Sequence, residues 1–261
     1  MGFRSIFMKK IGLVLSGGGY RGAAHVGVFK AMEELGIKPS VVAGTSVGAI
    51  MGALFAAGYG WQDIFAFLKN TEALSFDKYT FQKAGFFDSA KYKTLFEQYF
   101  PDGSFDSLEL PLYIATTDLI EGKTKYFYEG ELIRPLIASC AVPGVFSPVP
   151  VDDLLLCDGG VTNNFPIEPL LALSDVIIGV YLNQTSTING ASLKSTFSVL
   201  QRAYAIIRKH QFEQKFSSCD VLVSPPNLIG HQILSRSNLD HIFEMGYIEA
   251  VEKLSLWKEK N

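Results

Sequence analysis

The chain has 261 residues, 48% of them hydrophobic and 19% charged, with a formal net charge of −3. That length suits one large α/β domain, and with no linker, repeat or low-complexity stretch a single domain over residues 1–261 is expected. So mild an acidity gives no electrostatic case for nucleic-acid binding or for long-range attraction to anionic lipid.

Cys140, Cys157 and Cys219 are odd in number and widely spaced, which excludes a disulfide framework and any C-x-x-C metal or redox motif. They fit buried thiols in a reducing cytosol, and no metal or cofactor is expected. Lys9 and Lys10 followed by an apolar run begin like a signal peptide. The run stops at Ser16, short of a secretory segment, and Ile6 stands where a myristoylation signal needs Ser or Thr. No stretch reaches the roughly 18 apolar residues of a membrane span, so a cytoplasmic location is expected.

In chain order, Ile11 to Leu15 reads as a strand opening onto Ser16-Gly17-Gly18-Gly19, and Tyr20 to Leu35 as a helix stopped by Gly36. Val41 to Gly58 repeats the β-loop-α pattern. Two such units imply parallel strands whose loops meet at the carboxyl ends, where open α/β sheets hold their sites. Residues 59–105 are dense in aromatics, with helices expected at Asp63 to Asn70 and, capped by Asp88, at Ser89 to Phe100. Strands follow at Leu112 to Asp118 and Lys125 to Tyr128, joined around Glu121-Gly122. Next come a helix over Glu131 to Cys140 and strands at Leu154 to Cys157 and Val176 to Leu182. A long helix from Leu193 to Phe216, a strand at Val221 to Val223 and a helix from Asn238 to Trp257 complete the chain.

The chemistry gathers at three places. Gly44-Thr45-Ser46-Val47-Gly48 has the G-x-S-x-G spacing of a nucleophile on a sharp strand-to-helix turn. Gly44 and Gly48 leave room for the crowded backbone on either side of Ser46, and the helix that follows turns its positive end toward an oxyanion formed there. Gly17-Gly18-Gly19-Tyr20-Arg21-Gly22 also lies between strand and helix, so its N–H groups face an anion. The run fits G-x-G-x-x-G, but a dinucleotide site needs an acidic residue closing the second strand, and Ala43, Gly44 and Thr45 stand there instead. A phosphate-binding P-loop lacks its Lys-Ser or Lys-Thr. An oxyanion hole beside Ser46 is the stronger reading.

Ser46 needs a base. His210 and His241 lie in helical stretches that read as surface, His231 follows Gly230 in a loop, and His25 sits mid-helix among apolar neighbours. Asp158 is the better candidate, delivered by an apolar strand and followed by Gly159 and Gly160, where backbone can approach closely. Partial desolvation would raise its pKa from about 3.9 toward the working pH. An ordinary Asp-Gly turn is the plain alternative, and Asp118, Asp152 and Asp153 compete for the role. Asn163, Asn164 and Pro166 supply turn chemistry after it. Ser75-x-x-Lys78 matches the S-x-x-K of serine β-lactamases, but no K-T-G follows it.

Ser16 to Gly22, Gly44 to Gly48 and Asp158 to Gly160 together resemble the patatin-like phospholipase family, with Ala138 to Phe146 resembling a further block, over about residues 10–182. The resemblance implies a three-layer α/β fold, with a mostly parallel sheet between helices. It also implies a Ser46–Asp158 dyad without catalytic histidine and an oxyanion hole at Gly17, Gly18 and Gly19. Arg21, Gly22, Gly44, Gly48, Gly159 and Gly160 would support them. The reaction implied is hydrolysis of a lipid acyl ester, phospholipid or lysophospholipid, through an acyl-serine, with transient membrane contact. Residues 59–105 would form a cap over the acyl chain, or contribute aromatics to the core. A small-ester carboxylesterase with a histidine-assisted triad and a non-catalytic lipid-binding protein of the same fold remain as alternatives.

Overall fold

The structure, a computed structural model, describes residues 9–71, 89–184, 187–190, 193–226, 228 and 237–260. The Asp88 cap, Ser75 to Lys78 and His231 lie outside the described residues.

The first unit is β1 (Ile11–Leu15), a single 3-10 turn at Gly19–Gly22 and α1 (Ala23–Glu34). The tight turn replaces the first helical turn expected at Tyr20, because Gly19 takes a left-handed φ of 57° that an α-helix does not accommodate. The second unit is β2 (Val41–Thr45) and α2 (Val47–Ala56), followed by α3 (Trp61–Asn70) and α4 (Ser89–Tyr99). The hairpin β3 (Leu112–Asp118) and β4 (Lys123–Phe127) turns at Gly122, which takes a φ of 69°. Then come α5 (Ile133–Ser139), β5 (Val149–Val151), β6 (Leu154–Asp158), β7 (Val176–Val180), α6 (Thr196–Phe212), β8 (Val221–Val223) and α7 (Leu239–Lys260). The long helix expected to Phe216 gives way after Phe212 to 3-10 turns over Glu213–Ser218.

The eight strands form one sheet in the order β5-β6-β3-β2-β1-β7-β8, with β4 also paired to β3. β1, β2, β3, β7 and β8 run parallel, whereas β4, β5 and β6 join antiparallel, so the sheet is mixed. The chain leaves β1 toward β2 and β3 and returns on its other side through β7 and β8. β1 is therefore the point where the strand order reverses, and its carboxyl end opens into a crevice.

Alternation along the strands divides the core. Leu13, Leu15, Val42, Ile114, Ile178 and Val180 face α1, α2, α3 and α7. Val14, Val41, Ala43 and Ile177 face Phe165, Ile167, Tyr181 and Phe212 on the other side. α1 and α7 approach most closely at paired glycines. A Cβ on Gly27 would lie 2.2 Å from Phe243 O, and one on Gly246 would lie 2.3 Å from Ala24 O. Of the aromatic segment, Phe67, Phe96 and Phe100 are almost fully buried, so this described part of it is core. No described helix is long and apolar enough to cross a membrane.

Candidate active site

Ser46 stands between β2 and α2 with φ 54° and ψ −126°, a conformation L-residues avoid and one held only where surrounding packing enforces it. The packing is visible. A Cβ on Gly44 would meet Gly48 O at 2.4 Å, and one on Gly48 would meet Leu15 O at 2.3 Å. Both flanking positions are thus pinned by backbone that any side chain would displace. Ser46 N–H donates to Ser139 Oγ at 2.8 Å, and that hydroxyl donates to Ala115 O at 2.7 Å. The bridge fixes the turn to β3. The sequence reading did not single out Ser139; its signal was its place at the end of α5 within the Ala138 to Phe146 block.

The glycine loop lies against this turn. Gly17 touches it directly, since a Cβ there would come 3.1 Å from Ser46 Cβ and 2.6 Å from Asn164 Oδ1. Gly17 N–H is turned toward Asn164 O at 3.4 Å, a long contact. Gly18 and Gly19 head the 3-10 turn, where N–H groups have no intrahelical acceptor, and they are the open donors of the loop. Gly17 O accepts from Asn183 Nδ2, and Arg21 Nη1 donates to Leu182 O at 3.3 Å, so Arg21 ties the loop to the end of β7. Gly22 packs on Val47, the first residue of α2.

β6 brings Asp158 to the same place from the other direction. β3 extends past the end of β2, and the antiparallel β6 pairs with that extension, setting Asp158 opposite Thr116, while Ala115 is opposite Thr45. β4 takes the other edge of β3, so β2 and β6 share one edge end against end, and a Cβ on Gly159 would come 3.0 Å from Thr45 Cγ2, which brings Asp158 beside the Ser46 turn. Asp158 is 6% exposed, and its Oδ1 accepts from Gly160 N at 2.6 Å. Gly159 lies flat on Ala115 O, which a Cβ would approach to 2.2 Å.

Cys140 reports on this shared space. Burial pushes its thiol well above the usual range, the Asp158 carboxylate adds to the rise, and a hydrogen bond with the Ser46 side chain opposes it. The Cys140 thiol thus lies close to both the Ser46 side chain and Asp158.

Two groups beneath the site complete it. His25 is fully buried, with Nε2 donating to Ser16 O at 2.8 Å, and burial lowers its pKa to about 4 despite that bond. It is a neutral strut under the glycine loop. After Asp158, Thr45 Oγ1 donates to Asn163 O at 2.8 Å. Asn163 Nδ2 donates to Tyr126 OH and to Glu168 Oε2, both at 2.8 Å, and Lys215 Nζ binds Glu168 Oε1 at 2.5 Å and Asn163 Oδ1 at 2.7 Å. Burial opposes ionisation of Glu168, but hydrogen bonds from Lys215, its own backbone and Asn163 hold its pKa below the ordinary value. This charged network clamps the Asn163–Phe165 turn.

Asn164 is the unexpected member. It is 1% exposed, yet neither Nδ2 nor Oδ1 has a partner among the described residues. An amide without partners costs about 1–3 kcal/mol when buried, which sets Asn164 apart from the paired polar groups around it. Sequence reading gave Asn164 only a turn role, because N-N-x-P carries no trace of burial. Of the other histidines, His241 is exposed at the start of α7. Asp118 caps its own turn by accepting from Ile120 N at 2.9 Å, and Asp152 takes a φ of 51° in the turn between β5 and β6.

A family model described as patatin-like phospholipase matches residues 13–171. Lysophospholipase nte1 of Aspergillus fumigatus is 31% identical over 241 residues, covering 86% of this chain and 15% of the fungal protein. An uncharacterised NTE family protein of Mycobacterium bovis is 34% identical over 179 residues, covering 67% of this chain and 49% of its own length. The chain therefore spans half or less of these two relatives. Among solved structures, VipD from Legionella pneumophila superposes with a TM-score of 0.60 at 12% identity, over 95% of this chain and 67% of VipD, a likeness of fold.

Proposed function

The chain belongs to the patatin-like phospholipase family, and on that premise we propose that it hydrolyses lipid acyl esters through an acyl-serine formed on Ser46, with Asp158 as base. The observation that carries the reading is the strained Ser46 turn, wedged against Gly17, with β6 delivering Asp158 to the end of β2 along the same edge of β3.

In the acylation step Ser46 Oγ attacks the ester carbonyl carbon and its proton passes to the Asp158 carboxylate. The carbonyl oxygen gains the negative charge, and the N–H groups of Gly18 and Gly19 with the amino end of α2 stabilise it. Collapse expels the alkoxide, which takes the proton from Asp158 and leaves as the alcohol. Water then gives a proton to Asp158 and attacks the acyl-serine carbonyl. The fatty acid departs, and Ser46 recovers its proton. Asn164, buried against Gly17 with neither amide atom paired among the described residues, would complete this set toward the ester or the developing oxyanion. The likeness to the fungal lysophospholipase supports a lysophospholipid among the substrates.

The test is parallel hydrolysis of a p-nitrophenyl ester series and of phosphatidylcholine and lysophosphatidylcholine by wild type, Ser46→Ala and Asp158→Asn. Both substitutions are expected to reduce kcat by at least about a thousandfold, the scale on which nucleophile and base act together. Full activity in Asp158→Asn would end the dyad assignment. Activity lost instead on replacing His231 or His241 would favour a histidine-assisted triad.

A further inference from the structure

α6 is built inside out for a helix on a protein surface. Its aliphatic side chains Val199, Leu200, Ile206 and Ile207 are 49%, 63%, 41% and 51% exposed, and Phe212 at its end is the one buried side chain among those described. Positions 199 and 206, and 200 and 207, are seven apart, so the four form one stripe along a helix of about 25 Å. The sequence around the stripe is cationic. From Leu193 to Phe212 it holds Lys194, Arg202, Arg208 and Lys209 and no Asp or Glu, in a chain whose net charge is −3. The overall charge conceals this segregation.

The downstream end of α6 is tied to the turn that follows Asp158: Phe212 packs in the cluster of Phe165 and Tyr181, and Lys215, just beyond the helix, binds Asn163.

From this arrangement we propose that α6 is the element that docks the protein on a lipid bilayer bearing anionic headgroups. Its aliphatic stripe enters the boundary between headgroups and acyl chains, and Lys194, Arg202 and Lys209 lie at headgroup level, the geometry of an interfacial amphipathic helix. The cations select this occupant. Glu213, just past the helix, pairs with Lys209 at 3.5 Å, and the net positive charge that the stretch keeps disfavours a second copy of the same helix and favours a negative surface. The inference rests on the lipid-ester reading above and supplies the surface on which the substrate is presented.

The experiment uses the full chain carrying Ser46→Ala, so that vesicles stay intact, in flotation with vesicles of phosphatidylcholine alone and of phosphatidylcholine with an equal part of phosphatidylserine. Binding is expected to be about tenfold or more tighter to the anionic vesicles and to weaken with added salt. Leu200→Glu with Ile207→Glu is expected to weaken it roughly a hundredfold, the loss of two buried aliphatic side chains. In the active chain the same pair loses hydrolysis of vesicular phospholipid and keeps that of p-nitrophenyl butyrate. Unchanged melting checks the fold, and Val199→Ser with Ile206→Ser replaces the pair if it melts early. Equal binding by wild type and both pairs overturns the proposal. So does a wild-type dimer that the substitutions dissolve while no vesicle binding is seen, since a second copy then covers the stripe. If no ester is cleaved but vesicle binding and its loss are as expected, docking stands and the hydrolase reading falls.

Discussion

His25 makes the glycine loop sensitive to acid through the burial of its neutral imidazole. The imidazole is fully buried and its pKa is lowered from 6.5 to about 4, so below pH 6.5 the unfolded chain binds a proton that the folded one refuses. A depressed folded-state pKa means that the stabilising contribution is complete above pH 6.5 and is lost as pH falls through about 4. With those two values the loss is about 2 kcal/mol at pH 5 and about 3 kcal/mol once both states are protonated. His25→Gln removes the titrating group while keeping a neutral side chain that can donate to Ser16 O. Urea unfolding followed by circular dichroism at about pH 7.5 and pH 5 then gives two free-energy changes for each protein. Wild type should lose about 2 kcal/mol more than the variant between the two pH values, with other titrating groups common to both. Parallel losses would refute the assignment of a buried neutral imidazole, whatever the absolute stabilities.

Three further outcomes separate site from scaffold. Asn164→Ala should leave stability unchanged or raise it by about 1 kcal/mol, because the amide is buried without partners, while kcat falls about a hundredfold; a stability loss with full activity would make Asn164 structural. Gly17→Ala puts a methyl 2.6 Å from Asn164 Oδ1 and 3.1 Å from Ser46 Cβ, and should lower kcat tenfold or more, equivalent to about 1.4 kcal/mol on the barrier, as steady-state kinetics would read. Gly246→Ala would stabilise an exposed helix by about 1 kcal/mol, but here the methyl meets Ala24 O at 2.3 Å. A net loss of about 2 kcal/mol is expected, and a rise in melting temperature would contradict the close crossing of α1 and α7.

Most of the candidate site was legible because its signals are local. A nucleophile turn needs small residues within two positions of Ser46, an oxyanion loop needs glycines just after a strand, and both needs are met within single stretches of sequence. β5 was missed because three residues with a central proline carry no period, and Phe216 was placed in a helix because apolar spacing says little about where 3-10 turns take over. The expectation of a mostly parallel sheet was right for the five strands whose order follows the β-loop-α units. The antiparallel arrival of β6 is a pairing across about forty residues, with no local mark. The bare charge count averages the cationic α6 stretch with acidic residues elsewhere, so it does not show that segregation.

The sequence by itself determined the strained turn at Ser46, the donor loop at Gly17 to Gly19 and the carboxylate at Asp158, because backbone sterics and turn chemistry act between near neighbours. Only the tertiary structure decided that β6 runs antiparallel on the extension of β3 and so brings Asp158 to the end of β2, beside the Ser46 turn. It alone buried Asn164 without partners beside them and turned the aliphatic stripe of α6 outward. Burial and strand register arise from contacts between residues far apart in the chain, and such contacts leave no local period to read.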